Sequence, residues 1–150
     1  MINYLFTIEH FYPICDASGN CLKNLLAHFD KTKICIHILQ INHSDFECES
    51  LELEKNVFLH SFKVRKSNFF SKIMRKINIF AYPGYKKNIA KKYLETKKKL
   101  CDLYKFDCCF DVFYPFENVI ATIKSDFSFK IKNFWGFELL NDFYWKNSCF

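Results

Sequence analysis

The chain has 150 residues, half of them hydrophobic, including 19 Phe, 8 Tyr and 2 Trp, which is enough for one sizeable core and one domain but too little for two. A quarter of the residues are charged and only three Gly and three Pro occur, which excludes intrinsic disorder and fibrous or low-complexity architecture. The net charge is +6, but Lys, Phe, Ile and Asn are abundant together, as an AT-rich coding sequence gives, so where the lysines sit says more than their number.

The N-terminus, MINYLFTIEHFYP, lacks a basic leading region and a small-residue cleavage site, so it is not read as a signal peptide. Its apolar run from Ile2 to Ile8, closed by Glu9-His10 and Tyr12-Pro13, predicts a strand buried on both faces. Leu22, Leu25, Leu26 and Phe29 follow at helical spacing, with Ser18 or Asn20 as the candidate N-cap. Ile34 to Ile41 predicts a second strand, rich in β-branched residues. Asp45 to Lys55 reads as a polar connector in which Glu52 and Glu54 are solvated, and Val57 to Phe62 as a third strand.

The segment from Lys63 to Lys105 carries fourteen basic residues and two acids, a net +12. Within it, Phe69, Phe70, Ile73, Met74 and Ile77 form one face of an expected helix, with Lys72, Arg75 and Lys76 elsewhere on it. After Tyr82-Pro83-Gly84 a second helix is expected from about Lys86 to Tyr104. Its apolar line is Ile89, Tyr93, Leu100 and Tyr104, and Lys87, Lys91, Lys98 and Lys99 lie off it. Cys108 to Tyr114 predicts a fourth buried strand. Pro115-Phe116-Glu117-Asn118 then opens a helix through Val119, Ile120 and Ile123, with proline near its start and an acid in its first turn. Lys130 to Trp135 predicts a fifth strand. Together these elements predict an α/β, Rossmann-like fold, an open and mostly parallel sheet in the order 3-2-1-4-5 with helices on both faces.

The eight cysteines include no C-x-x-C pair, and several fall in apolar runs, so they are expected as reduced core thiols in the cytosol. The five histidines show no metal-ligand spacing, and no stretch of about 18 uncharged apolar residues exists to span a membrane. No metal and no cofactor is expected.

In an open α/β sheet, ligands bind beyond the carboxyl ends of the strands. Two loops have that position. Tyr12 to Asn20 contains Gly19, which permits close backbone approach, beside helix N–H groups that favour an anion; the same features also describe an ordinary capped turn. Tyr114 to Asn118 offers Glu117 and Asn118 either to a polyhydroxylated ligand or to the start of their own helix. The sequence contains no G-x-G-x-x-G fingerprint and no defensible Ser-His-Asp or Cys-His arrangement.

The opening strand, the YPxxxASGN loop, the leucine-rich helix and the stretch FDVFYPFENVIATIK together resemble the N-terminal domain of family-4-like glycosyltransferases with the GT-B fold. The resemblance implies sugar transfer from a nucleotide-sugar to a glycan or lipid-linked acceptor. It places Ser18, Gly19 and Asn20 near the donor phosphates, and Pro115, Phe116, Glu117 and Asn118 at the edge of the acceptor pocket. The first loop has only Ser18-Gly19 where family members often carry more glycines. Trp135-Gly136-Phe137-Glu138 contains no histidine, so no catalytic base is assigned, and Glu138 is the nearest carboxylate. The resemblance further implies that the second, donor-binding domain is absent from these 150 residues, and that the chain alone does not complete catalysis.

The basic segment admits three readings. It is the solvated face of two helices, a surface for anionic membrane, or a contact for phosphates. As a membrane surface, Phe69, Phe70, Lys72, Arg75 and Lys76 would meet the lipid, which agrees with a peripheral position on the inner membrane face. Nucleic acid is not expected as a partner, because the segment has only Arg65 and Arg75 for base readout and no recognised motif. The alternative to a transferase domain is therefore a non-catalytic module that binds membrane or a partner protein.

Overall fold

One sheet of six strands organises the molecule. A computed structural model describes residues 1–42, 50–63, 87–112, 116–129 and 131–135. The strands are β1 (Ile2–Thr7), β2 (Ile34–Asn42), β3 (Ser50–Glu54), β4 (Val57–Lys63), β5 (Cys108–Val112) and β6 (Ile131–Trp135). They lie in the order β3-β4-β2-β1-β5-β6. Every pairing is parallel except β3 with β4. The expected five-strand order 3-2-1-4-5 is corrected by this additional antiparallel edge strand, which occupies part of the stretch read as a connector.

The physical reason for the misreading is that β3, SLELE, alternates apolar and acidic residues. Leu51 and Leu53 turn into the core while Glu52 and Glu54 face water, as an edge strand with one covered face requires. Lys55-Asn56 closes the β3–β4 hairpin. Asn56 adopts a left-handed φ of 62°, which asparagine tolerates better than most residues, and its amide donates to the Lys31 carbonyl at 2.7 Å. Glu54 is paired with Lys31 at 2.7 Å at the surface.

Among the described residues three helices cover the sheet: α1 (Ala17–Ala27), α2 (Lys87–Leu103) and α3 (Phe116–Ile123). Strand alternation sorts the side chains into two cores. Phe6, Ile8, Ile36, Ile38, Val57, Leu59 and Val112 meet Leu22 and Leu26 of α1 on one face. Leu5, Leu39, Ile41 and Cys109 meet Ile89, Tyr93 and Leu100 of α2 and Ala121 of α3 on the other. Helices thus lie on both faces, and β1 is buried on both, as its unbroken apolar run requires. Aromatics thicken the α1 side, where Phe6 stacks on Phe110 at 5.0 Å and Tyr4 meets Phe29 edge-on at 5.9 Å.

Among the described residues no helix is long and apolar enough to cross a membrane. The expected helix carrying Phe69, Phe70, Lys72, Arg75 and Lys76 lies outside the described residues, as do Pro115 and Glu138.

Candidate functional site: the crevice between β1 and β5

β1 lies between β2 and β5, and its helix, α1, covers one face while α3, which follows β5, covers the other. The chain therefore departs in opposite directions from two adjacent carboxyl ends. That divergence makes a topological switch point, the place where an open α/β sheet leaves a crevice.

On the α1 side, Gln40 near the end of β2 holds the loop. Its side-chain oxygen accepts from the Phe11 and Tyr12 N–H groups, both at 2.8 Å, and its amide donates to the Tyr12 carbonyl at 2.6 Å. The helix N-cap is Asp16, not Ser18 or Asn20. The Asp16 carboxylate accepts from the Gly19 N–H at 2.7 Å, a short polar side chain at the cap reaching the first turn's free N–H. A Cβ at Gly19 would lie 2.4 Å from the His10 carbonyl oxygen, so the glycine is required by the chain's own backbone passing over the helix. Gly19 is buried with its N–H engaged by Asp16, so its amide is not offered to an anion. Ser18 is half-buried and Asn20 exposed, in the same first turn.

On the α3 side, the residues form a buried polar cluster. Asn118 is fully buried, and its amide donates to the Val112 carbonyl at 2.9 Å and the Thr7 carbonyl at 3.3 Å, which ties the ends of β5 and β1 together. Lys97 of α2 is also fully buried. Its ammonium donates to Asp111 Oδ1 at 2.6 Å, to Thr122 Oγ1 at 2.5 Å and to the Asn118 backbone carbonyl at 3.3 Å. The Thr7 hydroxyl donates to the same Asp111 oxygen. Glu117, likewise buried, stands beside this cluster in the first turn of α3, where a carboxylate suits the helix dipole.

The helices that follow the neighbouring strands β1 and β5 thus carry Ser18, Gly19 and Asn20 in the first turn of one and Glu117 and Asn118 in the first turn of the other, while Tyr114 and Pro115 lie outside the described residues. Phe116 opens α3. Lys97, Asp111 and Thr7 were not singled out from the sequence. Signals exist for two of them: Asp111 interrupts the apolar strand CCFDV, and Lys97 occupies the vacant place between Tyr93 and Leu100 on the apolar line of α2.

Burial pushes the Cys109 thiol well up and the Cys101 thiol to about 11, so neither supplies a thiolate near neutral pH. Cys15, Cys21, Cys35, Cys101, Cys108 and Cys109 are all free. Away from the crevice, a hollow of about 360 Å³ opens between α1 and the β3–β4 hairpin, lined by Phe11, Tyr12, Lys23, Leu26, Leu53 and Val57. Its lining also includes the charged Lys31 and Glu54, which pair with each other at 2.7 Å. A second buried polar pair, His37 and His60, lies under the end of α2, with Nδ1 and Nε2 2.9 Å apart and the rings parallel. Their spacing of 23 residues gave no sign of it; adjacent parallel strands bring them together. Among the described residues no three His, Cys, Asp or Glu side chains are placed to hold a metal.

No protein-family model matches the sequence, and no curated protein matches it either. Among solved structures, the fold is similar to that of sucrose-phosphate synthase from Thermosynechococcus elongatus, with a TM-score of 0.59 and 10% sequence identity. The match covers 90% of this chain and 33% of that protein, so the chain spans about a third of its neighbour's length. At this identity the likeness establishes a glycosyltransferase-like α/β fold, and the fold alone.

Proposed function

We propose that this chain is a glycosyltransferase-related domain, the part that holds a sugar-bearing ligand or acceptor at the β1–β5 crevice. The observation that carries this is the switch point itself, within a glycosyltransferase-like fold. Around it stand Ser18 and Asn20 in the first turn of α1 and Glu117 and Asn118 in the first turn of α3. Buried, mutually bonded polar groups fix the start of α3 on the strand ends, so the crevice is preorganised before any ligand arrives.

The transfer step requires groups that neutralise a departing nucleotide phosphate. Gly19's amide is engaged by Asp16, whose carboxylate already compensates the helix end. The chain therefore provides the acceptor side, and donor phosphates are held by a second unit. This assignment is tested by donor turnover with a panel of nucleotide-sugars, using the purified chain alone and together with the polypeptide encoded next to it. Turnover only in the mixture is expected. Robust turnover by the 150-residue chain alone would show that the donor site lies within it.

A further inference from the structure

We propose that the hollow between α1 and the β3–β4 hairpin binds a small apolar monoanion, an aromatic carboxylate or sulfonate. This site is separate from the crevice, so the inference goes beyond the proposed function and stands without it.

The hollow, about 360 Å³, owes its existence to one small residue. Lys23, Leu26 and Ala27 lie at i, i+3 and i+4 along one face of α1, which Lys31 continues just past the helix end. Ala27 brings only a methyl group to that face, opposite Leu53 and Val57 of the hairpin. The space that a larger side chain would fill is left open. Phe11, Leu26 and Val57, at 4%, 4% and 1% exposure, form its floor. Tyr12, at the rim, leaves part of an aromatic ring open to solvent.

Floor and rim select different parts of a ligand. The floor is apolar, so it rewards an apolar body and would leave the hydroxyl groups of a polyol unpaired. The volume lies near the small end of ligand pockets, roughly 300–1,000 Å³, which suits a small molecule and not a peptide. The rim carries the charge. Lys31 is neutralised by Glu54 at 2.7 Å. Among the described residues the Lys23 ammonium has the Phe11 ring as its partner, at 5.6 Å, and no carboxylate. Lys23 and Lys31 against Glu54 leave one positive charge at the mouth, which a single anionic group balances. A cation is repelled there, and a second anionic group would meet Glu54.

The probe is 8-anilinonaphthalene-1-sulfonate, an aromatic monoanion that brightens in apolar surroundings, with N-phenyl-1-naphthylamine as its uncharged counterpart. Titrated into the folded chain at neutral pH, the sulfonate is expected to saturate a single site. Lys23→Gln should weaken it about fivefold, the upper worth of an exposed ion pair, and leave the uncharged dye unchanged. Ala27→Phe, at an exposed helix position, should close the hollow to both dyes. In the ¹⁵N-labelled wild-type chain, amide shifts on adding the sulfonate should centre on Lys23, Ala27 and Leu53, which locates the dye without any variant. No saturable binding, or shifts centred elsewhere, would overturn the inference. So would an affinity indifferent to both substitutions, or a Lys23→Gln variant that loses both dyes alike.

Discussion

Replacing Lys97 with methionine is expected to destabilise the fold by about 3–5 kcal/mol, the usual cost of leaving a buried charge without its partner. Lys97 and Asp111 are both wholly shielded from solvent, 2.6 Å apart, and no water reaches either group to replace the lost interaction. Methionine keeps most of the lysine stem's volume, so the loss reports the ammonium and not a cavity. It would strand three acceptors: Asp111 Oδ1, the Asn118 carbonyl and Thr122 Oγ1. Adding Asp111→Leu to Lys97→Met should recover much of the loss, because a buried pair exchanged for apolar residues is often near neutral. Urea denaturation of the wild type, both single variants and the double variant measures this. A Lys97→Met variant within about 1 kcal/mol of wild type would mean that the ammonium reaches solvent, as an ordinary surface pair does.

Acid should destabilise the protein well above the carboxylate range. Burial holds His37 and His60 down to about 4 each, and each proton on His60 further disfavours one on His37. Desolvation dominates because the surroundings are aromatic: Tyr104 is 4.3 Å from the His37 ring, Phe106 meets it edge-on at 5.1 Å and Phe58 stacks at 5.2 Å. The Cys35 thiol, 3.3 Å from His37 Nε2, is itself pushed up by burial and adds no compensating charge. Unfolded histidine titrates near 6.5, so between about pH 6.5 and pH 4 the unfolded chain binds protons that the folded chain does not. Stability is therefore full above that window and is lost as the pH falls through it. A depression from 6.5 to about 4 corresponds to roughly 3 kcal/mol for one imidazole. Denaturation midpoints measured from pH 7 to pH 5 should fall steeply in the wild type and much less in a His37→Phe/His60→Phe variant. Equal slopes would place the imidazoles in water.

Much of the fold was legible in the sequence because its central strands are buried on both faces. Ile2 to Ile8 and Ile34 to Ile41 have no other reading consistent with their length and β-branching. The edge strand was not legible, because SLELE meets only half the conditions of a buried strand and its acids resemble a solvated connector. The helix cap lies two residues before Ser18 and four before Asn20: Ser18, Asn20 and Asp16 are all capable caps, and the choice of Asp16 follows from where Gln40 and the His10 carbonyl hold the preceding loop. The position of the crevice followed from strand order alone. The polar cluster inside it did not. A lysine on a lysine-rich helix looks like solvated surface until its neighbours in three dimensions are known, and Lys97 differs from Lys98 and Lys99 only in falling on the apolar line with Tyr93 and Leu100. The His37–His60 pair was equally silent, since parallel register between strands 23 residues apart leaves no local pattern.

On the proposed reading, the same polar cluster fixes the groups at the carboxyl ends of β1 and β5. Asn118 bonds both β1 and β5, and Lys97 fastens the first turn of α3 from the neighbouring helix, so the groups that would face a ligand are held from three directions. The α1 side is held by Gln40 and by the Asp16 cap. The most direct measurement of this account is a map of backbone amide shifts in the ¹⁵N-labelled chain as glucose and UDP-glucose are added. The account predicts that the largest changes fall on Ala17 to Asn20 and on Glu117 to Val119, at the two helix starts that flank the crevice. Changes confined to the hollow around Phe11, Leu26 and Leu53, or no change at concentrations that saturate sugar-binding proteins, would contradict it.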